Sequence, residues 1–506
     1  STVYYPFTGV FDTQKVPQSV AIGLSQGFLD DNDPAPDDLS GIVELIFNGL
    51  DLMTLLDNPV ASFEQSLLIT TCKYSINLNS MSFTGTGTDL TIVANGLGFV
   101  ETISGLDITF RLNKTGGGGL CPGSTNGSAT ASSVVVDALL IVEVVDGELV
   151  ARVDDGATGA VMNNLDVSVD SWFLNLILGL LQGTIESTLE DAVVDAIKDQ
   201  VQPLLGGVFD AMKLDMDLEI PSFFPGGEAA LVALQTSASA VEFVPNTSML
   251  IVMDGAVLTE HKAPYTPLGS IGYANCLAAP FTKNEFVIGD FASINIGLFD
   301  DLVNQILHAI YDAGVLEMTL GPDVIPADQL AAYGVSDMTV ALSAMLPPII
   351  TACKPAPEPD ALLLEFGDLG IDASFTMNGA DVAMTLFASL SGAARFQITT
   401  NDEGASEIGI SILGFHDVKT DIVSVDSEDP AMAEILTSLI DSTLVPMLLE
   451  SLDLGDAFAF PLPVIDLSSP DSGIPEGTAI AITPEEIVRS ANANTIIKGS
   501  VSAPTP

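Results

Sequence analysis

The stretch from residue 172 to residue 212 constrains the fold more than any other part of this sequence. Its apolar residues recur at steps of three and four, which predicts one long amphipathic helix. Most steps are four, so each overshoots the helical repeat by roughly 40° and the stripe winds around the helix, which favours packing along a twisted, curved sheet. Pro203 and the Gly206-Gly207 pair are expected to bend or end this helix. The stripe consists of Ile177, Leu181, Ile185, Leu189, Val193, Ile197, Val201, Leu204 and Val208.

The same order of elements occurs twice in the chain. Residues 214–225, directly after the long helix, alternate apolar and polar side chains and carry prolines, which predicts a proline-bearing strand. Near the C-terminus, residues 430–453 predict a second long helix and residues 454–467 a second strand with prolines. Recurrence of this order indicates a tandem repeat. The apolar stripe of the second helix consists of Met432, Ile435, Leu436, Leu439, Ile440 and Leu444.

Two shorter helices and several hairpins fill the rest of the pattern. Residues 38–56 predict a helix with Asp38 as its cap, and residues 293–312 predict another. One side of the latter carries Leu298, Leu302, Val303, Ile306 and Ile310. Elsewhere the sequence alternates with period two, which is typical of antiparallel strands. Two-residue hairpin loops are predicted at Asn95-Gly96, Asp146-Gly147, Asp254-Gly255 and Asn378-Gly379.

Proline and glycine punctuation after the first long helix divides the chain. We expect an N-terminal module of residues 1–225, a linker or central-sheet crossover of residues 226–245, and a C-terminal module of residues 246–506. Residues 1–37 are predicted to form an extended entry and an acidic loop. Residues 470–506 are predicted to form a last strand and a ragged tail.

The charge balance excludes some functions. The chain has 14 Lys and Arg against 67 Asp and Glu, which gives a formal net charge of −53. Such a charge excludes binding to nucleic-acid backbones as a main function and argues against docking on anionic membranes through a basic patch. Its simplest interpretation is solubility. The hydrophobic content of 47% is high, yet no clean apolar span of about 18 residues exists, so these residues form a core or line a cavity.

Four cysteines divide evenly between the two halves, Cys72 and Cys121 in the first, Cys276 and Cys353 in the second. This division predicts one disulfide in each half, which implies an oxidising compartment. The alternative is four buried thiols in a cytosolic protein. No signal peptide is visible, so residue 1 is expected to follow a removed one.

One motif raises the question of catalysis. Gly23-Leu24-Ser25-Gln26-Gly27 has the G-x-S-x-G pattern, but a nucleophile elbow needs a helix straight after the serine, and the acidic segment that follows predicts none. The three histidines are isolated from one another and the cysteines lack metal-binding spacing. We therefore expect neither an enzyme, a metal site nor a cofactor.

Several stretches resemble the family of bactericidal/permeability-increasing protein, lipopolysaccharide-binding protein, and the cholesteryl ester and phospholipid transfer proteins, within the tubular lipid-binding superfamily. The resemblance is carried by residues 311–326, in which a helix ends in Ala-Gly-Val-Leu and leads to Ile-Pro, and by FAFPLP at residues 458–463. The long helix from Trp172 and the strands of residues 74–113 are also similar. Members that bind lipopolysaccharide carry a lysine-rich tip, from which this acidic chain departs.

The resemblance implies an α+β fold, an elongated boomerang of two tandem modules, each a long helix wrapped by a curled antiparallel sheet, joined by a central sheet. It implies a secreted lipid-binding or lipid-transfer protein, extracellular, periplasmic or at the cell surface, with transient contact to a membrane or lipid particle. The ligand would be a phospholipid or fatty-acyl chain in one apolar pocket per module. The expected lining is Ile177, Leu181, Ile185, Leu189, Val193 and Ile197, then Leu298, Leu302, Ile306, Ile310, Leu436, Leu439, Ile440 and Leu444.

A rival interpretation is a structural or adhesive surface protein that uses the same fold with its pockets filled by side chains. The two functions differ in whether lipid accompanies the purified protein. A hydrolase acting through Ser25 is a third and less favoured interpretation. The sequence leaves the oligomeric state and the lipid open.

Overall fold

A computed structural model describes residues 15–33, 38–49, 53, 56–67, 70–170, 178–220, 229–265, 293–322, 331, 333–351, 361–400, 406–426, 459–462, 464–466, 479–490 and 494–502. The helices are α1 Gln26–Leu29, α2 Leu39–Gly49, α3 Leu178–Ala196, α4 Gln202–Ala211 and α5 Asp300–Asp312. The strands are β1 Val16–Ser25, β2 Ala61–Leu67, β3 Thr70–Ser82, β4 Gly85–Val93, β5 Gly96–Gly116, β6 Thr125–Val145, β7 Glu148–Val153, β8 Gly159–Asn163, β9 Asp166–Val169, β10 Met216–Ile220, β11 Ala230–Val244, β12 Ser248–Thr259, β13 Ile294–Phe299, β14 Met318–Leu320, β15 Val335–Ala344, β16 Ile349–Thr351, β17 Leu362–Met377, β18 Ala380–Thr400, β19 Ser406–Asp426, β20 Ala459–Pro461, β21 Val464–Asp466, β22 Ala479–Ser490 and β23 Asn494–Ser502.

These strands form three antiparallel sheets. The central sheet has the order β10-β11-β12-β1-β13-β23-β22-β21, so it joins strands from the beginning, middle and end of the chain. The N-terminal sheet has the order β2-β3-β5-β6-β7, with β4 on β5 and both β8 and β9 on β6. The C-terminal sheet has the order β14-β15-β17-β18-β19-β20, with β16 on β17. Alternating burial along the strands, with apolar residues inward, is what period-two sequence produces.

The predicted long helix is present in the described residues from 178 to 211. A π-helical turn, Ile197–Val201, connects α3 to α4 without a break. Pro203 is the second residue of α4 and the Gly206-Gly207 pair lies inside α4, so the helix ends at neither of them. A wider turn accommodates a residue that cannot donate a backbone hydrogen bond.

The helix packs on the N-terminal sheet, with α3 against β8 and β9 and α4 against β7. The predicted stripe is buried wherever its side chains are described, at Ile185, Val193, Ile197, Val201, Leu204 and Val208. The second predicted long helix, residues 430–453, lies outside the described residues. The predicted domain boundaries stay a prediction, although residues 230–244 form strand β11 of the central sheet.

The helix predicted for residues 293–312 is wrong in its first part, residues 294–299. They form strand β13, which lies between β1 and β23, and the helix α5 begins only at Asp300. The segment INIGLF has β-branched residues at alternate positions, which favours a strand, and the acidic pair at positions 300 and 301 suits a helix N-terminus. Leu298 therefore belongs to a strand, while Leu302 and Ile306 lie on α5.

The hairpin loops at Asp146-Gly147 and Asn378-Gly379 are confirmed. All four residues have positive φ, between 52° and 87°, as type I′ turns require.

At the predicted Asn95-Gly96 loop, the turn is displaced by one residue. Val93 pairs with Gly96, so Ala94 and Asn95 form the loop. A Cβ at Gly96 would lie 2.1 Å from the Leu140 carbonyl oxygen, so this glycine permits close approach of β6.

The predicted hairpin at Asp254-Gly255 is wrong, because both residues lie inside β12. The chain reverses instead at residues 245–247, between β11 and β12. A Cβ at Gly255 would lie 2.7 Å from Ser19 Oγ and 2.8 Å from Leu302 Cδ1. The glycine therefore lets α5 pack closely on the central sheet.

The two ends of the described chain are more ordered than the sequence predicts. β1 is an interior strand of the central sheet, between β12 and β13. Residues 479–490 and 494–502 form two paired antiparallel strands, β22 and β23, rather than one strand and a ragged tail, and β23 also pairs with β13. At the start of α2, Asp38 is confirmed as a cap, since its Oδ1 accepts from the Gly41 N–H at 2.7 Å.

The disulfide predicted for the first half is present between Cys72 and Cys121. It ties the start of β3 to the loop between β5 and β6. Close by, the Tyr74 hydroxyl donates to the Pro122 carbonyl at 3.0 Å. Cys276 and Cys353 lie outside the described residues.

Candidate functional site

An apolar cavity lies where α5, the central sheet and the C-terminal sheet meet. Its volume is about 40 Å³, and the side chains described around it are all apolar. The lining residues are Leu214, Met216, Leu234, Ile296, Leu298, Leu302, Val303, Ile306, Phe396, Ile408, Leu462 and Ile497. A space of this composition offers no hydrogen bond to a ligand, so it suits hydrocarbon alone.

Helix α5 supplies one wall of the cavity and is held at both ends. All of its residues are buried, including the polar ones. At its N-terminus, Asp300 accepts a hydrogen bond from Arg489 Nη1 at 2.6 Å. Burial raises the pKa of the Asp300 carboxyl to about 6, and the hydrogen bonds and positive charge of Arg489 oppose that rise. At its C-terminus, Asp312 pairs with His261.

The middle of α5 is fixed to the C-terminal sheet by a side-chain amide. Asn304 donates from Nδ2 to the Ile350 carbonyl at 3.0 Å and accepts from the Ile350 N–H at 2.7 Å. These two bonds attach α5 to the backbone of strand β16. The three anchors set the face of α5 that carries Leu302, Val303 and Ile306 toward the cavity.

Leu462 lines the cavity from a crossover between two sheets. β20 pairs with β19 of the C-terminal sheet, whereas β21 pairs with β22 of the central sheet. Leu462 therefore lies where the chain passes from one sheet to the other. Both flanking strands have only three residues, so few backbone hydrogen bonds hold this segment.

The structure brings together part of the predicted lining. Leu298, Leu302 and Ile306 converge on the cavity. Ile310, one turn further along α5, is fully buried but is not among the lining residues. On α3 and the π turn, Ile185, Val193 and Ile197 pack in the core away from this cavity. Side chains outside the described set are Ile177, Leu181, Leu189, Leu436, Leu439, Ile440 and Leu444.

More than half of the residues that line the cavity were not predicted from the sequence. Met216, Leu234 and Ile296 come from the central sheet, and Phe396 and Ile408 from the C-terminal sheet. Strand alternation marks each of these residues as inward-facing. It does not tell which strands converge, because the pairing of β1, β13 and β23 joins segments that are distant in sequence.

Ser25 of the G-x-S-x-G motif ends β1 and caps the one-turn helix α1. The expectation that no helix follows it is wrong, although α1 has only four residues. The Ser25 hydroxyl oxygen accepts a hydrogen bond from the Phe28 N–H at 3.2 Å, and the residue is buried. This arrangement is an N-terminal cap.

A buried carboxyl group lies between α2 and the β4–β5 hairpin, away from the cavity. Glu101 shares a face of β5 with Phe99, whose ring lies 6.3 Å from that of Phe47 on α2. Its Oε2 accepts from Thr88 Oγ1 at 2.5 Å. Burial raises the pKa of Glu101 to about 8, and the nearby negative charge of Glu44 adds to the rise. The group is therefore mostly protonated at neutral pH.

Within the residues that the structure describes, no cluster of three or more metal-binding side chains is present. In the same part of the chain, no helix combines the length and apolar character needed to cross a membrane.

The described residues define an α+β protein of three antiparallel sheets with an apolar cavity where two of them meet. No protein-family model matches the chain, and no curated protein sequence matches it. Among solved structures, it is similar to a lipopolysaccharide binding protein at 12% identity and a TM-score of 0.45, over 96% of this chain and 100% of that one. It is also similar to P47 of Clostridium botulinum E1 at 7% identity and a TM-score of 0.31, over 96% and 100% of the two chains. Neither similarity assigns the chain to a family, because both the identities and the TM-scores are low.

Proposed function

We propose that this protein is a secreted lipid-binding or lipid-transfer protein that holds acyl chains in the apolar cavity beside α5. The observation that carries the proposal is the composition of the lining, which is entirely apolar in the described residues. Each methylene group transferred from water to such a lining contributes about 0.8 kcal/mol. A polar ligand would lose its hydrogen bonds to water there without replacement.

Acyl-chain binding requires the cavity to widen. Its volume of about 40 Å³ is far below the roughly 300–1,000 Å³ of small-molecule sites. Two lining residues are suited to movement. Met216 is flexible and lies on the edge strand β10, and Leu462 lies on the weakly paired crossover. We propose that an incoming chain displaces these two side chains.

The proposal includes no chemical reaction, metal or cofactor. It includes transient contact with a membrane or lipid particle, from which the lipid is collected. The Cys72–Cys121 disulfide supports an oxidising compartment, in agreement with secretion.

The small cavity also favours a second function. If side chains fill the interior completely, the protein is a structural or adhesive surface protein with the same fold and no ligand. The two functions differ in one observable, the lipid that accompanies the protein.

The test is to extract the protein with organic solvent after purification and to quantify lipid by mass spectrometry. Near-stoichiometric lipid is expected, and its absence after incubation with mixed lipid vesicles would favour the structural role. Ile306→Phe fills the cavity and should reduce the lipid content, while Leu462→Ala enlarges the cavity and should preserve it. Ile398→Phe is the matched control, because Ile398 is exposed on β18 and does not line the cavity.

A further inference from the structure

A second and larger space lies on the opposite, solvent-facing side of the β10–β11 pair. It is a groove of about 340 Å³, within the size range of small-molecule sites. Its polar lining includes Lys15, Asp215, Asp217 and Gln235. Both aspartates and the glutamine are exposed, so the groove is open to water. No part of the proposed acyl-chain site uses these polar side chains.

The groove and the apolar cavity share a wall. Met216 and Leu234, which pair across β10 and β11, line both spaces. β10 is the edge strand of the central sheet. At its start, Leu214 lines the cavity while the next residue, Asp215, lines the groove. A hydrocarbon chain entering the cavity around this edge would leave its polar end in the groove.

Charges of both signs lie along the groove. Lys15 Nζ donates to Ser237 Oγ at 2.6 Å, which holds the ammonium group over β11. Asp215 Oδ1 accepts from the Thr236 N–H at 2.6 Å. Asp217 pairs in register with Ala233, four residues from Ser237 along β11. At about 3.4 Å per strand residue, this places Asp217 on the order of 14 Å from Lys15 along the strand.

We infer that the groove binds the head group of a zwitterionic lipid, one that carries a quaternary or primary ammonium group and a phosphate. The phosphate would lie against Lys15 and the ammonium group against Asp217 and Asp215. A purely anionic head group would meet two carboxylates for one ammonium group, on a chain of net charge −53. This inference rests on the proposed function, since it assumes that the acyl chain enters the apolar cavity.

The experiment compares three lipids that share a dodecyl chain and differ in head-group charge. Dodecylphosphocholine is zwitterionic, dodecyl phosphate is anionic and dodecyl maltoside is neutral. Their binding to the full chain is measured by calorimetry below their micelle concentrations. The variants are Asp217→Asn and Lys15→Met, and Asp107→Asn is the control, because Asp107 is an exposed aspartate on β5 remote from the groove.

Dodecylphosphocholine is expected to bind most tightly to the unaltered protein. Asp217→Asn and Lys15→Met should each weaken that binding by about two- to fivefold, the range for exposed charge pairs, and leave dodecyl maltoside unchanged. Equal binding of all three lipids, or equal effects of Asp217→Asn and Asp107→Asn, would overturn the head-group site while lipid binding stands. Failure of every lipid to bind would overturn both the inference and the proposed function.

Discussion

Asp300, the first residue of α5, accepts hydrogen bonds from both terminal nitrogens of the Arg489 guanidinium group, although Arg489 lies 189 residues further along the chain. The Asp300 side chain is fully buried and that of Arg489 is 12% exposed. Arg489 Nη1 also donates to Thr495 Oγ1 at 3.0 Å, across the β22–β23 hairpin. The C-terminal hairpin is thereby joined to the helix that lines the apolar cavity.

Replacement of the arginine should destabilise the protein strongly. Arg489→Met leaves the Asp300 carboxyl buried without its charged partner, and breaking such a pair costs about 3–5 kcal/mol. The free energy of unfolding in urea measures the loss. Arg152→Met is the control, because Arg152 and Glu143 form an exposed pair, worth about 0–1 kcal/mol. Equal losses in the two variants would contradict a structural role for the buried pair.

Stability should fall as the pH rises through the titration of Glu101. Its pKa is about 8 in the folded protein against 4.5 for the unperturbed group. Between these values the native state binds more protons than the unfolded state, so the free energy of unfolding decreases with pH. The shift corresponds to about 5 kcal/mol, lost progressively from about pH 4.5 and fully above pH 8. Charges that face the group include those of Glu44 and Asp89, which add to the effect.

The test for Glu101 is to measure the free energy of unfolding in urea from about pH 5 to about pH 9, for the unaltered protein and for Glu101→Gln. Because glutamine does not ionise, the variant should lose less stability over this interval. Asp300 has its raised pKa in both proteins, so its contribution cancels in the comparison. Parallel pH profiles for the two proteins would show that Glu101 does not titrate in this range.

Two isoleucines one turn apart on α5 should respond differently to truncation. Ile306 is 5% exposed and lines the cavity, whereas Ile310 is fully buried outside its lining. Ile310→Ala should cost about 2–5 kcal/mol, and Ile306→Ala should lie at the lower end because one side of Ile306 already faces space. Urea unfolding of both variants gives the comparison. A larger loss for Ile306→Ala would mean that the cavity wall is packed like ordinary core.

Loss of the Cys72–Cys121 disulfide should destabilise the N-terminal sheet. The bond closes a loop with a sequence separation of 49 residues, for which chain entropy gives about 4 kcal/mol. Unfolding of the Cys72→Ser/Cys121→Ser protein in urea measures the effect. The second predicted bond, Cys276–Cys353, is checked separately by a peptide map without reductant. A Cys72–Cys276 peptide in that map would contradict both pairings.

Local signals predicted local structure well in this chain. The period of residues 185–208 gave the buried stripe of the long helix, and Asp146-Gly147 gave its hairpin. The hairpin prediction at Asp254-Gly255 failed because the same dipeptide also occurs inside strands, where the glycine allows another element to pack closely on it. That contact, between Gly255 and Leu302, joins residues 47 positions apart and has no local signature.

The candidate site was only partly predictable for the same reason. Leu302 and Ile306 were found from helical periodicity. Ile497 and Phe396 reach the cavity because strands from distant parts of the chain converge there, which a single sequence does not encode in any spacing. The polar groove gave no sequence signal, since Lys15 and Asp217 line the same groove only through the pairing of β1, β12, β11 and β10.

Because of the net charge of −53, lipid uptake from anionic vesicles should increase with salt concentration. Anionic vesicles repel an acidic protein, and the screening length falls from about 30 Å at 0.01 M salt to about 3 Å at 1 M. Transfer from anionic vesicles should therefore become faster as salt is added, because apolar contacts are not weakened by screening. Transfer from zwitterionic vesicles of matched chain composition is the control and should change little. A rate that falls steadily with salt on anionic vesicles would mean that a local basic patch makes the first contact, in spite of the overall charge.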